Sequence, residues 1–360
     1  LLSIILQHQL LPEAWVYGQL YVVNDLIRPA YLLGETSTSG FWLYFPIALA
    51  VKTPVPILVL IVSALAAWLC KPKERWLSLV FIIPALGYFS AAVWSRLNIG
   101  LRHILPIYPF LFVLVGAMAA ELWSSRSVLK RGCLILLAIW FVGSSLSIYP
   151  HYLAYFNELA GGAQNGYRVL IDSNLDWGQD IKGLKRWMDR HGQHDIQLDY
   201  FGSAPPEYYG IKAFFLPGSS GASQSVRTEE RVQVPEYRAI SAKRVYGNKV
   251  FINAAQKQLL DSYQLGSPID NVGYSILIFK LDPSNANVRY NTGFILARRG
   301  ELDHAVEQFR AALRIQPDFA DAHRGLAQAL AAQGKRDEAV QHYNEALRIL
   351  KSVPRTPAGG

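Results

Sequence analysis

The sequence predicts a chain in three parts: a polytopic α-helical membrane domain of about four spans, an extracytoplasmic α/β domain, and an all-α pair of repeat hairpins at the end. Three observations predict this. Of 360 residues, 51% are hydrophobic and only 17% charged, which is more apolar than an ordinary soluble chain. The excess is concentrated in residues 1–150, whereas later residues alternate polar and apolar side chains normally. From residue 285 onward the pattern repeats itself at an offset of 34 residues.

Residues 1–44 read as an outer interfacial segment. The opening run Leu1–Leu6 is too short for a signal peptide or a span. With no methionine at its start, the chain is expected to be the C-terminal part of a longer protein. Scattered aromatics (Trp15, Tyr17, Tyr21, Tyr31) and the polar run 35–40 suit a membrane surface.

A transmembrane domain is expected over 45–150, with spans at about 45–69, 76–94, 104–122 and 133–149. Each is near the ~20 residues a bilayer requires. Lys71, Lys73 and Arg75 occupy one connection, and Arg126, Lys130 and Arg131 the next but one, which assigns both loops to the cytoplasm. The loop 95–103 and everything after Pro150 then face outward, although Arg96 and Arg102 run against the charge rule. The expected location is a bacterial inner (plasma) membrane, multi-pass, with the C-terminal domains outside. The net charge of +8 comes partly from these flanks, so nucleic acid is not the expected partner. Cys70 and Cys133 lie at the ends of apolar runs without metal or redox spacing.

The α/β domain is expected over 151–282. Its predicted strands are 169–171, 196–201, 250–252 and 274–281, and its helices 181–190 and about 255–263. Residues 217–236, rich in Gly, Ser, Gln and charge, read as a mobile loop. The repeats cover 285–351, and 352–360 form a tail. The offset superposes Ala286 on Ala320, Gly300 on Gly334, Ala305 on Ala339, Phe309 on Tyr343, Ala312 on Ala346 and Leu313 on Leu347. Small residues there let two helices of a hairpin approach, and the bulky ones fill the next groove. Such units need neighbours to bury a continuous core.

Four constellations carry candidate chemistry. Arg96, Arg102 and His103 at the outer surface either bind a lipid-linked phosphate, which guanidinium forks match, or snorkel among ordinary headgroups. Lys52 either lines a polar cavity inside the first span or is interfacial, with Pro54 breaking the helix at that boundary. His151, Tyr152, Tyr155, Asn157 and Glu158 form a collar that suits sugar stacking and equally an aromatic belt.

The fourth is the stretch 172–180, where Asp172, Asn174, Asp176, Trp177, Gln179 and Asp180 follow a short strand and precede a helix. Its one-three-five spacing imitates a calcium loop, but Trp177 stands where glycine is needed and Gly183 where glutamate is, so no metal is expected. Helix capping by Asp176 or Asp180, Asx turns, or sugar and acceptor contact are the remaining roles. His191 and His194 belong to a solvated glycine turn. GxGxxG, Walker, HExxH and GxSxG patterns are absent from the sequence.

Taken together, Pro46–Pro54, Arg102–Pro109, Pro150–Gly162 and Asp172–Asp180 resemble motifs of membrane glycosyltransferases of the dolichyl-phosphate-mannose protein mannosyltransferase type, in their bacterial form. The repeat spacing, with Pro317 closing the first unit, resembles tetratricopeptide repeats; Thr292 departs from that pattern and predicts looser packing of the first unit. The first resemblance implies transfer of a sugar from a polyprenyl-phosphate carrier to an extracytoplasmic acceptor, with the lipid-linked sugar as donor and no other cofactor. It places the catalytic acid upstream of residue 1, so no catalytic residue is carried over. Arg102 and His103 would meet the donor phosphate, with Arg96 and Lys52 as further candidates. The alternative is a membrane-anchored scaffold whose repeats bind a protein partner.

Overall fold

The computed structural model describes residues 12, 14, 16–18, 29–70, 75–95, 97–215, 235–246 and 267–352. Arg96, the expected strand 250–252, the expected helix 255–263 and nearly all of the loop 217–236 lie outside them. The chain divides into two units, one of Leu1–Trp177 with Tyr246–Phe251 and one of Gly178–Val245 with Ile252–Gly360.

The first unit opens with an antiparallel hairpin, β1 (Ala30–Leu32) and β2 (Glu35–Ser37), inside the segment read as interfacial. Leu33 and Gly34 at its tip both have positive φ, 51° and 89°, the conformation a two-residue hairpin turn demands. The strand β1 is buried along its length, with Ala30, Tyr31 and Leu32 all in the core.

Helices follow. The first expected span is a broken pair, α1 (Tyr44–Lys52) and α2 (Val55–Cys70), bent by 116°. Its break at Thr53-Pro54 has a local cause, since proline lacks an N–H and restricts the residue before it. Helix α3 (Arg75–Ser95) carries Pro84 inside it, and its segment Leu79–Ser95 is apolar but shorter than a span. The third expected span begins as a 3₁₀ helix at Leu101–Ile107 and continues as α4 (Tyr108–Ser124). Helix α5 (Val128–Ser147) starts five residues before the expected 133 and takes Lys130 and Arg131 into its first turns. Among the described residues, two helices are long and apolar enough to cross a membrane, or up to three if the bent pair is one span. Helix α5 buries none of its residues, leaving Leu136, Ile139, Val142 and Leu146 exposed.

The expected strand 169–171 is not formed. In its place are a one-turn helix α6 (Gly166–Val169) and a 3₁₀ turn at Asp172–Asn174. Its apolar residues are explained by burial rather than by pairing: Leu170 and Ile171 are core residues. Gly166 packs so closely that an added Cβ would lie 2.1 Å from the Phe156 ring.

The second unit holds a five-stranded sheet in the order β4-β3-β5-β7-β6, built from β3 (Asp195–Asp199), β4 (Lys212–Phe215), β5 (Tyr237–Ser241), β6 (Asp270–Val272) and β7 (Ile276–Lys280). Strand β3 pairs in parallel with β4 and β5, and β7 is antiparallel to β5 and β6. Helix α7 (Ile181–Arg190) places Ile181, Leu184, Trp187 and Met188 on one face and buries them with Ile196, Leu198, Ala239 and Ile278. Their helical spacing is the amphipathic pattern that anchors a helix to a sheet. The short helix α8 (Ala242–Tyr246) follows β5 directly. Arg238 is buried opposite Gln197, its Nε and Nη2 donating to Gln197 Oε1 at 2.9 and 2.6 Å.

Four helices end the chain: α9 (Ala286–Arg298), α10 (Leu302–Ile315), α11 (Ala320–Ala332) and α12 (Arg336–Ser352). They form two hairpins around Leu296, Ala305, Val306, Phe309, Leu326 and Leu330. Phe309 takes the space of two absent side chains, since a Cβ at Gly293 or Gly325 would lie 2.9 or 2.8 Å from its ring. The loose packing expected at Thr292 is not found. Thr292 is buried and its Oγ1 donates to Val288 O at 2.9 Å, so a polar side chain is satisfied by its own helix.

Candidate functional sites

The break between α1 and α2 organises the polar residues of the first unit. Asn157, just after the fourth expected span, is buried and donates from Nδ2 to Ala50 O and Thr53 O at 2.6 and 2.7 Å. Its own N–H donates to Val51 O at 2.9 Å. It thereby satisfies carbonyls that a helix end leaves without intrahelical partners. Thr53 Oγ1 shares a hydrogen bond of 2.7 Å with Tyr108 Oη.

Lys52 is fully engaged. Its Nζ donates to Leu153 O and Asn174 O at 2.8 and 2.7 Å and stands 4.2 Å from the centre of the Phe156 ring. Asn174 is the next link, for its Nδ2 donates to Tyr44 Oη and Ile171 O while its Oδ1 accepts from Leu101 N–H. Ser173 Oγ donates to Ile99 O. Lys52, Asn174, Tyr44 and the start of the 3₁₀ helix thus form one hydrogen-bonded network, buried at Asn174 and Tyr44.

Arg102 and His103 sit on that 3₁₀ helix. His103 stacks on Phe45 at 5.6 Å between ring centres. Arg102 is exposed, with its Nε donating to Ile99 O at 3.2 Å and its guanidinium 4.9 Å from the centre of the Trp177 ring. The structure therefore unites two residues that the sequence placed 75 positions apart in separate constellations.

The stretch 172–180 is split between the units after Trp177. Asp172 adopts φ 61° and its carbonyl accepts from the N–H groups of Leu175 and Asp176, both at 2.9 Å. Asp176 is buried in the first unit. Gln179 and Asp180 belong to the second. Asp180 stands at the N-cap of α7, but its side chain makes no capping bond there. Instead Oδ2 accepts from Ser275 Oγ at 2.7 Å and from Gln179 Nε2 at 3.0 Å. The carboxylate faces Gly273, where an added Cβ would lie 1.9 Å from Oδ1. Capping by Asp180 is thus replaced by a tertiary contact.

In the second unit the first helices of the two hairpins, α9 and α11, lie side by side. Tyr290 of α9 approaches Phe319 at 5.2 Å, and burial, reinforced by Asp321, pushes its hydroxyl up to about 12. Arg324 Nη2 pairs with Asp321 Oδ1 at 2.5 Å. On α9, Asn291 is buried and its Oδ1 has no hydrogen-bond partner among the described residues. Buried polar atoms are satisfied in the great majority of cases, so this oxygen calls for an explanation. Asn291 is not legible in the sequence, because an amide in a helix carries no signal of burial.

Family models match the end of the chain, a TPR repeat over residues 293–334 and a tetratricopeptide repeat over 320–352. The C-terminal hairpins are tetratricopeptide repeats. No curated protein matches. Among solved structures, the chain is similar to a crystal structure of MamA, with 31% identity over 20% of this chain and 42% of that chain and a TM-score of 0.19. A second MamA structure shares 28% identity over 21% and 45% of the two chains, with a TM-score of 0.20. The chain thus spans less than half the length of these structures.

Proposed function

We propose that the chain is a membrane-anchored scaffold whose tetratricopeptide hairpins hold an extended partner polypeptide against α9 and α11. The tetratricopeptide matches over residues 293–334 and 320–352 carry this reading. Tyr290, Asp321 and Arg324 supply polar groups on α9 and α11. The exposed apolar residues Leu136, Ile139, Val142 and Leu146 of α5 support anchoring in a bilayer, because a soluble chain rarely leaves such a surface to water. In this reading the repeats lie outside the cytoplasm, the side the loop charges predict.

The test uses the full chain in detergent, with the copurifying polypeptide identified by cross-linking and mass spectrometry. Deleting residues 285–352 is expected to abolish its retention. Retention unchanged by the deletion would overturn the proposal.

A second reading, transfer of a sugar from a polyprenyl-phosphate carrier, is favoured by one observation: Arg102 is exposed beside Trp177, pairing a phosphate-matching cation with a sugar-stacking ring. In this reading fixed cations stabilise the charge that gathers on a phosphate leaving group, and the repeats recruit the acceptor. Arg102→Ala in the protein expressed from its complete coding sequence is expected to slow transfer at least a hundredfold with an unchanged melting curve. Unchanged turnover removes the phosphate role.

A further inference from the structure

The repeat places two different clasps at equivalent positions of the two hairpins. In the first, Arg289 of α9 donates from Nε to Pro283 O at 2.8 Å and from Nη1 to Gln308 Oε1 of α10 at 3.0 Å. At the offset of the repeat, the same three positions hold Pro317, His323 and His342. His323 of α11 is buried, with its Nε2 3.0 Å from Pro317 O and its Nδ1 3.0 Å from Nδ1 of His342 on α12. Each hairpin is thus tied across its two helices and back to the segment before its first helix. The first uses groups that do not titrate near neutrality; the second uses two imidazoles.

Pro317 decides where the hydrogens lie. A carbonyl only accepts, so His323 carries its proton on Nε2, and its neutral ring presents a bare Nδ1. His342 must then hold a proton on its own Nδ1 and donate it. One added proton can sit on Nε2 of His342 without disturbing this bond. A second has only Nδ1 of His323 to go to, where it faces another N–H at 3.0 Å with no acceptor between them.

Among the described residues, the nearby charges do not offset that conflict. Arg310 of α10 pairs with Glu338 at 3.0 Å, and Arg348 with Glu345 at 2.5 Å, so both carboxylates near His342 are already matched by cations. Asp321 and Arg324, on the helix of His323, pair with each other. Burial, with His323 and Arg310 behind it, holds the His342 imidazole below its ordinary value against the pull of Glu338 and Glu345. The folded pair therefore binds fewer protons than the unfolded chain. Its contribution is complete above the ordinary imidazole value of about 6.5 and is lost as pH falls below that, through the lowered folded value.

We propose that His323 and His342 form a pH-sensitive clasp between α11 and α12, closed while the pair holds at most one added proton and opened when acid adds the second. The clasp of Arg289 and Gln308 in the first hairpin carries no such response. The inference concerns the closure of one hairpin and does not depend on what α9 and α11 hold.

Hydrogen exchange read by mass spectrometry on the full chain in detergent, corrected for the intrinsic effect of pH on exchange, tests this. Opening of residues 320–352 is expected to rise at least tenfold from about pH 7.5 to about pH 5.5, since each proton taken up on opening contributes up to about tenfold per pH unit. His323→Arg/His342→Gln, which transfers the clasp of the first hairpin to the second, should stay closed at the upper pH and lose most of that rise. If this double variant is open at both pH values, His342→Gln alone decides, because its amide still donates to Nδ1 of His323. It should close near neutrality and show a reduced acid response. A wild type whose exchange at 320–352 ignores pH, or a double variant that responds to acid as the wild type does, would overturn the proposal. So would a single variant that keeps the full acid response or is open near neutrality.

Discussion

Replacing Phe309 by alanine is expected to cost about 3–5 kcal/mol, the range for deleting a fully buried aromatic ring. Phe309 is the residue both hairpins share. Its ring fills the gaps left by Gly293 and Gly325 on the two first helices and lies 5.9 Å from Tyr290. A cavity there cannot close from either side, because the glycines offer no side chain to move into it. The loss should propagate to Tyr290 and Asn291, one turn of α9 away, so partner retention should fall together with stability. Hydrogen exchange of residues 286–352 in the variant measures the first effect and cross-linked partner the second. A loss below about 1 kcal/mol would show that the hairpins do not share one core.

The repeats were legible because their evidence is local and stated twice: small and bulky residues recur at a fixed offset, and no distant contact is needed to interpret them. Helix 181–190 was legible for a similar reason, its four buried residues falling on one face. The apolar run at 169–171 misled because apolar residues report burial, not geometry, and here the core lies beside a helical turn. Asp180 misled in the opposite way. An aspartate before a helix is a normal cap, but Ser275, 95 residues away, competes for its carboxylate. The break at Pro54 is visible in the sequence, whereas Asn157 as its partner is not, since a contact across 104 positions leaves no trace in spacing. The buried Arg238–Gln197 pair is silent in the sequence on the same ground.

Lys52→Met is expected to destabilise the first unit by about 3 kcal/mol, since bonds to a charged donor contribute roughly 1.5–3 kcal/mol each. Methionine approximates the stem and its packing on Phe156 but leaves the carbonyls of Leu153 and Asn174 without their donor. Lys52→Arg should not restore the wild type, because a planar guanidinium does not fit two carbonyls and a ring arranged for a compact ammonium. The melting temperature in detergent and the protease sensitivity of residues 151–177 check both variants. The same experiment separates two roles for this lysine. If it staples the helix break to the segment 153–174, stability falls whether or not a lipid-linked phosphate is present. If it serves a donor phosphate, Lys52→Met keeps the wild-type melting curve and loses only turnover. The two hydrogen bonds to backbone carbonyls favour the staple, for an ammonium already committed to them would have to release one before it could meet a phosphate oxygen.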